Sequence, residues 1–230
     1  MQTIGLLGGM SWESTELYYR LINEGIKTKL GGLHSAKIAM VSVNFHEIEQ
    51  RQHSGDWDGA AAILSQSAQQ IEAAGADFLV ICTNTMHKVA DTIASTIQIP
   101  ILHIADATAQ QIKADSVQQV GLLATAFTME QDFYRGRLEE QHGLTVLVPN
   151  TDDRAIIHRI IYDELCLGII RDESCKEYLR IIDALRAEGA EAIILGCTEI
   201  TLLVKPEQTT MPLYDTTAIH AAAAVEQALA

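Results

Sequence analysis

Residues 71–83 and 185–197 are two versions of one segment, and this repetition limits the fold more than any other feature of the chain. The first reads Ile71-Glu-Ala-Ala-Gly75-Ala-Asp77 and runs through an apolar stretch to Cys82-Thr83. The second reads Leu185-Arg-Ala-Glu-Gly189-Ala-Glu191 and runs to Gly196-Cys197. Each is a helix end, a Gly-Ala-acid step and a short strand. Glycine is a common helix stop, so one such match carries little weight. A second match in the same order carries more. Ile4-Gly5-Leu6-Leu7 corresponds to Val120-Gly121-Leu122-Leu123, and Tyr18 to Tyr134. The offset is 114 between Gly75 and Gly189 and 116 between Ile4 and Val120, so a small insertion or deletion separates the halves. The chain reads as a duplication in which Thr83 and Cys197 are counterparts.

Eight runs read as strands: Thr3–Leu7, Lys37–Val43, Phe78–Cys82, Ile101–Ile104, Gln119–Leu123, Thr145–Val148, Ala192–Leu195 and Pro212–Tyr214. They are continuously apolar, as strands buried on both faces are. Ser14–Leu30, Asp58–Ala74 and Tyr178–Ala187 carry apolar residues at helical spacing. Alternating strands and helices imply parallel sheets covered by helices. The expected fold is α/β: two similar Rossmann-like αβα domains related by a pseudo-twofold axis, with a site in the cleft between them. The first domain is expected over residues 1–98 plus 208–230 and the second over 99–207. Pro212–Ala230 is expected to return to the first domain, its strand closing that sheet.

Thirty acidic against 16 basic residues give a formal net charge of −14. Nucleic acids and anionic membrane surfaces require basic patches, so neither is an expected partner. An acidic small molecule would need a local nest of positive potential. The four cysteines, at 82, 166, 175 and 197, show neither disulfide-framework nor metal-ligand spacing. Reduced thiols and a cytoplasmic location are the simpler reading. No apolar run approaches the roughly 18 residues of a membrane span.

Ligands of open parallel sheets bind beyond the carboxyl ends of the strands, where Thr83 and Cys197 fall. Thr83-Asn84-Thr85 and Cys197-Thr198-Glu199 each read as a helix N-terminus. Free N–H groups there form an anion nest, and the helix dipole would lower a thiol pKa. Two proton-transfer groups on opposite sides of a bound carboxylate suit inversion at Cα, in which one group removes a proton and another delivers one.

Gly8-Gly9-Met10-Ser11-Trp12-Glu13-Ser14-Thr15, Thr83-Asn84-Thr85-Met86-His87 and Gly196-Cys197-Thr198-Glu199 together resemble the cofactor-independent aspartate/glutamate racemase family, nearest to its enteric bacterial, L-specific branch. The resemblance spans the whole chain and implies a homodimer that acts on a small amino acid, aspartate or glutamate. The family has a cysteine at both catalytic positions. Here Cys197 keeps the second, and Thr83 stands at the first because Asn84-Thr85 fixes the register. Cys82, one residue earlier, faces the other side of its strand and reads as a core thiol. The resemblance implies that Cys197 deprotonates the L-enantiomer and Thr83 reprotonates, with L-substrate preferred.

Several other residues are candidate substrate contacts. Met10 follows the first strand, though Gly8-Gly9 with Ser11 or Ser14 also makes an ordinary strand-to-helix turn. Arg51 and Gln52 lie in a polar loop, Glu49–Gly55, read either as a substrate lid or as solvated chain. Asn84, Thr85 and Thr198 belong to the motifs. Thr125 follows the fifth strand as the counterpart of Gly9. Glu199 is placed to orient Cys197, to bind an α-ammonium group, or to occupy a first helical turn. His87 reads equally as a proton relay or as a packed histidine. Family members often carry a basic residue where Cys166 stands. No cofactor and no metal are indicated: there is no GxGxxG, no P-loop and no mark of a pyridoxal lysine. A single-thiol decarboxylase or isomerase of the same superfamily, and a non-catalytic amino-acid-binding protein, stay open as alternatives.

Overall fold

Thr3–Gly8 (β1) is the middle strand of a parallel sheet, between Lys37–Ser42 (β2) and Phe78–Ile81 (β3). The structure is a computed structural model describing residues 1–230, in two units. One unit is Met1–Ile104 with His220–Ala230; the other is Ala105–Ile219. Helices Trp12–Leu30 (α1), Phe45–Ser54 (α2), Trp57–Ala73 (α3) and Ala90–Ala94 (α4) follow the strands of the first unit. Ile104–Ala114 (α5) leads into the second.

That second unit repeats the first. Gln119–Leu123 (β4) is flanked by Thr145–Leu147 (β5) and Ala192–Leu195 (β6), and Leu213–Asp215 (β7) extends the sheet, all parallel. Its helices are Ala126–Glu130 (α6), Asp132–His142 (α7), Thr151–Asp163 (α8), Asp172–Ala187 (α9) and Ile200–Leu203 (α10), and Thr216–Leu229 (α11) closes the chain. The order β2-β1-β3 recurs as β5-β4-β6.

The Gly-Ala-acid step does the same work twice. Asp77 accepts from Thr3 N at 2.6 Å while its own N–H donates to Thr3 O. Glu191 accepts from Gln118 N at 2.7 Å and Gln119 N at 2.9 Å while its N–H donates to Gln119 O. In both units the acid therefore ties the start of the third core strand to the start of the first. Gly5 and Gly121 are equivalent too. A Cβ on Gly5 would lie 2.5 Å from Ile71 Cγ2 of α3, and one on Gly121 would lie 2.9 Å from Leu185 Cδ1 of α9. Each glycine lets the helix before the Gly-Ala-acid step sit directly on the central strand. Tyr18 and Tyr134 are both fully buried.

Three expectations need correction. Ile101–Ile104 is not a strand. It makes one bridge, Leu79 to Ile101, because Pro100 has no N–H to give a ladder and Ile104 already opens α5. The strand within Pro212–Ala230 does not close the first sheet, since Ile193, Ile194 and Leu195 pair with Leu213, Tyr214 and Asp215. Only the chain from His220 belongs to the first unit, where Ala221, Ala224, Val225 and Ala228 pack on Ile4, Tyr18 and Ile22. The unit boundaries accordingly fall after Ile104 and Ile219, not after residues 98 and 207. No helix is long and apolar enough to cross a membrane.

Candidate active site

Thr83 stands just past β3. Cys82 points into the core with Tyr18 and Phe78, and burial pushes its thiol well above the ordinary range. Thr83 sits on the bend that follows the strand, half-buried, its N–H donating to Ile81 O at 2.9 Å. The chain then enters a 3-10 turn, Thr85–Val89. His87 anchors it: Nδ1 donates to Thr83 O at 2.8 Å, and Nε2 accepts from Ile104 N at 3.3 Å. Both ring nitrogens are thus engaged with backbone groups in the neutral form. Burial, then His103 and His220, holds the imidazole well below its usual pKa. His87 therefore positions the Thr83 turn, and the relay reading loses its ground. His220 is held the same way, with Nε2 on Leu102 O at 2.7 Å and Nδ1 on Tyr18 Oη at 2.8 Å. Sequence inspection missed this buried histidine trio, because residues 87, 103 and 220 show no spacing signal.

Met10 is buried in a cluster with Leu7, Ile48, Ile81 and Met86. This cluster ties the carboxyl ends of β1 and β3 to α2. Ser11 caps α1, its Oγ accepting from Ser14 N at 3.3 Å. Asn84 and Thr85 are buried beside Thr83. Arg51 and Gln52 are not in a loop, as the sequence suggested: they form the last turn of α2. Asn44 caps that helix through His46 N, and Gly55 ends it at φ 75°. Gln52 is buried one turn after Ile48. Arg51 pairs with Asp56, whose carboxylate also caps α3 through Gly59 N. Lys88, which the sequence did not single out, lies 4.0 Å above the Trp57 ring, a cation–π contact.

In the second unit Cys197 follows β6, whose end is pinned by Gly196 N donating to Leu123 O at 2.8 Å and by Thr216 Oγ1 donating to Leu195 O at 3.0 Å. The half-buried Cys197 thiol donates to Glu199 Oε2 at 2.9 Å. Burial first, then the Glu199 carboxylate, pushes the thiol well above its ordinary pKa. This overturns the expected lowering by a helix dipole. The helix that follows, α10, has only four residues, and a macrodipole needs several aligned turns. Thr198 O accepts from Thr201 Oγ1 at 2.7 Å. Thr125 is buried at the start of α6, with its Oγ1 3.3 Å from Thr128 Oγ1.

Behind Cys197 lies a group the sequence did not reveal. Buried Glu164 accepts from Ser174 Oγ at 2.5 Å, and the Tyr178 hydroxyl donates to Ile157 O. Burial and the nearby charges of Cys197, Cys166 and Glu164 raise the Tyr178 pKa. The first unit thus groups Thr83, Asn84, Thr85 and His87. The second pairs Cys197 with Glu199. Chemically, the thiol–carboxylate pair can shift one proton between sulfur and oxygen, and the Thr83 hydroxyl can donate one.

A family model described as Asp/Glu/Hydantoin racemase matches residues 7–224. A crystal structure described as a candidate Asp/Glu racemase from Yersinia pestis is 57% identical, with both chains covered in full and a TM-score of 0.95. That of an aspartate racemase homologue from Pyrococcus horikoshii is 34% identical over the full length of both chains, with a TM-score of 0.87. The broad specificity amino-acid racemase RacX of Bacillus subtilis is 24% identical over 178 residues, 76% of this chain and 75% of RacX. With the duplicated parallel-sheet fold and the Cys-Thr-Glu strand end in place, these similarities establish that the chain belongs to the Asp/Glu/Hydantoin racemase family and is an isomerase.

Proposed function

We propose that the protein interconverts the enantiomers of an acidic amino acid, aspartate or glutamate, by moving a proton at Cα. Cys197 is the base toward the L-enantiomer and Thr83 is the acid that delivers a proton to give the D-enantiomer. The observation that carries this reading is the 2.9 Å hydrogen bond from the Cys197 thiol to Glu199. A Cα proton is weakly acidic, so its base must be strong once ionised. A thiol whose pKa is raised gives such a base, but its thiolate is scarce. In the resting protein Glu199 keeps that proton on sulfur; it accepts the proton across the hydrogen bond only as sulfur attacks the Cα proton, so no standing thiolate is needed.

Thr83 is suited to only half of that work. A hydroxyl can protonate a carbanion, whereas its alkoxide forms too rarely to serve readily as a base. L and D have equal free energy in solution, so kcat/KM must be equal in the two directions. Preference for L therefore lies in kcat and KM taken separately. Asn84, Thr85, Thr198 and Thr125 supply hydroxyl, amide and backbone donors for the amino-acid head group, and Met10 and Gln52 are further substrate contacts in this reading. Arg51, released from Asp56, would meet the side-chain carboxylate. The scheme draws only on the chain's own side chains and backbone groups. The family resemblance supports a homodimer, and cysteines without disulfide spacing support a cytoplasmic location.

One observation favours a rival: only one of the two counterpart positions carries a thiol, as a single-thiol decarboxylase of this superfamily would have it. Circular dichroism of L-aspartate and L-glutamate incubated with the protein separates the readings. Decay of the signal to zero, abolished in Cys197→Ser, is the expected result. A stable signal combined with carbon dioxide release from an arylmalonate would replace the racemase by the decarboxylase.

A further inference from the structure

A second thiol lies in the neighbourhood of Cys197. Cys166 is exposed on the 3-10 turn Leu165–Leu167, and that turn packs against α10, which starts just after the Cys197-Thr198-Glu199 segment. Leu167 and Ile170 stand 68% and 57% exposed, so packing does not pin the outer side of the turn. Its inner side is held by Leu167 N and Ile169 N, both donating to Glu164 O. Both thiols lie within electrostatic range of each other and of the buried Tyr178. The other cysteines are placed differently. Cys82 is sealed in the first unit's core, and Cys175 Sγ donates to Leu203 O at 3.4 Å.

We propose that Cys166 and Cys197 are a peroxide-responsive pair, joined by a disulfide that reversibly disables the protein. Hydrogen peroxide meets the exposed Cys166 first. Its sulfur attacks one peroxide oxygen, the O–O bond breaks, and Cys166 becomes a sulfenic acid with release of one water. Cys197 then attacks the sulfenic sulfur, and Glu199 takes the thiol proton across the existing hydrogen bond. That proton leaves with the sulfenic hydroxyl as a second water, and the S–S bond forms. Peroxide is reduced to two waters, and the two thiols lose two electrons and two protons. Closing the bond requires the turn to bring the two Cα atoms to about 4.4–6.8 Å. Loss of activity rests on Cys197 being the base; the cross-link itself does not.

Trypsin separates all four cysteines: Cys82 in 52–88, Cys166 in 160–171, Cys175 in 172–176 and Cys197 in 187–230. The full-length protein is treated with hydrogen peroxide, blocked with an alkylating agent and digested without reductant. The expected product is peptide 160–171 joined to 187–230, with intact mass lower by two hydrogens. Racemisation should fall in proportion to the cross-linked fraction and return with dithiothreitol. Cys166→Ser should keep the untreated activity and form no cross-link. Oxygen added to Cys197 with no cross-link, or a cross-link to 172–176 instead, overturns the proposal. A cross-link in a protein that never racemised an amino acid upholds the pair and removes the function reading.

Discussion

Replacing Glu199 by glutamine has two consequences of opposite sign, which makes it a sharp test of the thiol–carboxylate pair. The carboxylate sits 2.9 Å from the Cys197 sulfur and, after burial, is the main cause of the raised thiol pKa. Glu199→Gln removes that charge, so thiolate becomes more abundant near neutral pH. It also removes the group that takes the thiol proton. A hydrogen bond to a charged partner contributes about 1.5–3 kcal/mol. At about 1.4 kcal/mol per decade of rate, its loss lowers kcat/KM by roughly ten- to 150-fold. The assay pairs two readouts on one protein: alkylation of Cys197 against pH, followed on its tryptic peptide, and racemisation of L-glutamate followed by circular dichroism. The expected outcome is an alkylation profile displaced to lower pH together with slower racemisation. Faster racemisation, tracking the larger thiolate fraction, would refute Glu199 as proton acceptor and leave it as a charge that merely suppresses the thiolate. An unmoved alkylation profile would refute the pairing itself.

Thr83→Cys restores a thiol at the first counterpart position and should raise kcat with D-substrate by about tenfold or more, measured in initial rates from pure D-glutamate; an unchanged profile would remove Thr83 from proton transfer. Gly121→Ala places a Cβ 2.7 Å from Ile193 Cδ1 and 2.9 Å from Leu185 Cδ1, and should destabilise by about 1–3 kcal/mol in urea unfolding, as should Gly5→Ala. Burial lowers His220 from 6.5 to about 4, so below pH 6.5 the unfolded state binds more protons than the folded one. His220 alone should therefore cost about 3 kcal/mol of stability as pH drops from 6.5 through about 4, read as a falling Tm, with His87 acting in the same direction, and His220→Gln should make that slope shallower.

The repeat was legible because its physical duties are local. A glycine under a helix and an acid tied to the first strand recur at fixed steps, and the sequence shows both. Thr83 could be aligned with Cys197 from the repeat, and Cys82 assigned to the core from strand alternation. What escaped were features set by tertiary context. The α2 helix carries only Phe45, Ile48 and Gln52 on its inner face, too few to stand out among polar neighbours. Pro212–Tyr214 looks like any short strand, and nothing local says which sheet receives it. The Cys197 environment was read with the wrong sign, since a helix N-terminus was assumed where only four helical residues follow. Glu199 two residues on was visible, and facing the sulfur was one of three readings the sequence left open; only the packing of the strand end selects it. The buried imidazoles of His87 and His220 meet through segments far apart in the chain.

The central claim is that two different side chains handle the proton on the two sides of Cα. It is tested most directly by starting from L-glutamate or L-aspartate in deuterium oxide and examining both enantiomers at early conversion. Two-base transfer predicts that the new D-enantiomer carries deuterium at Cα while the remaining L-enantiomer is still protiated. Deuterium entering L as fast as D would contradict the account, because one residue would then be removing and returning the proton on the same face; no Cα exchange in either enantiomer would contradict it altogether.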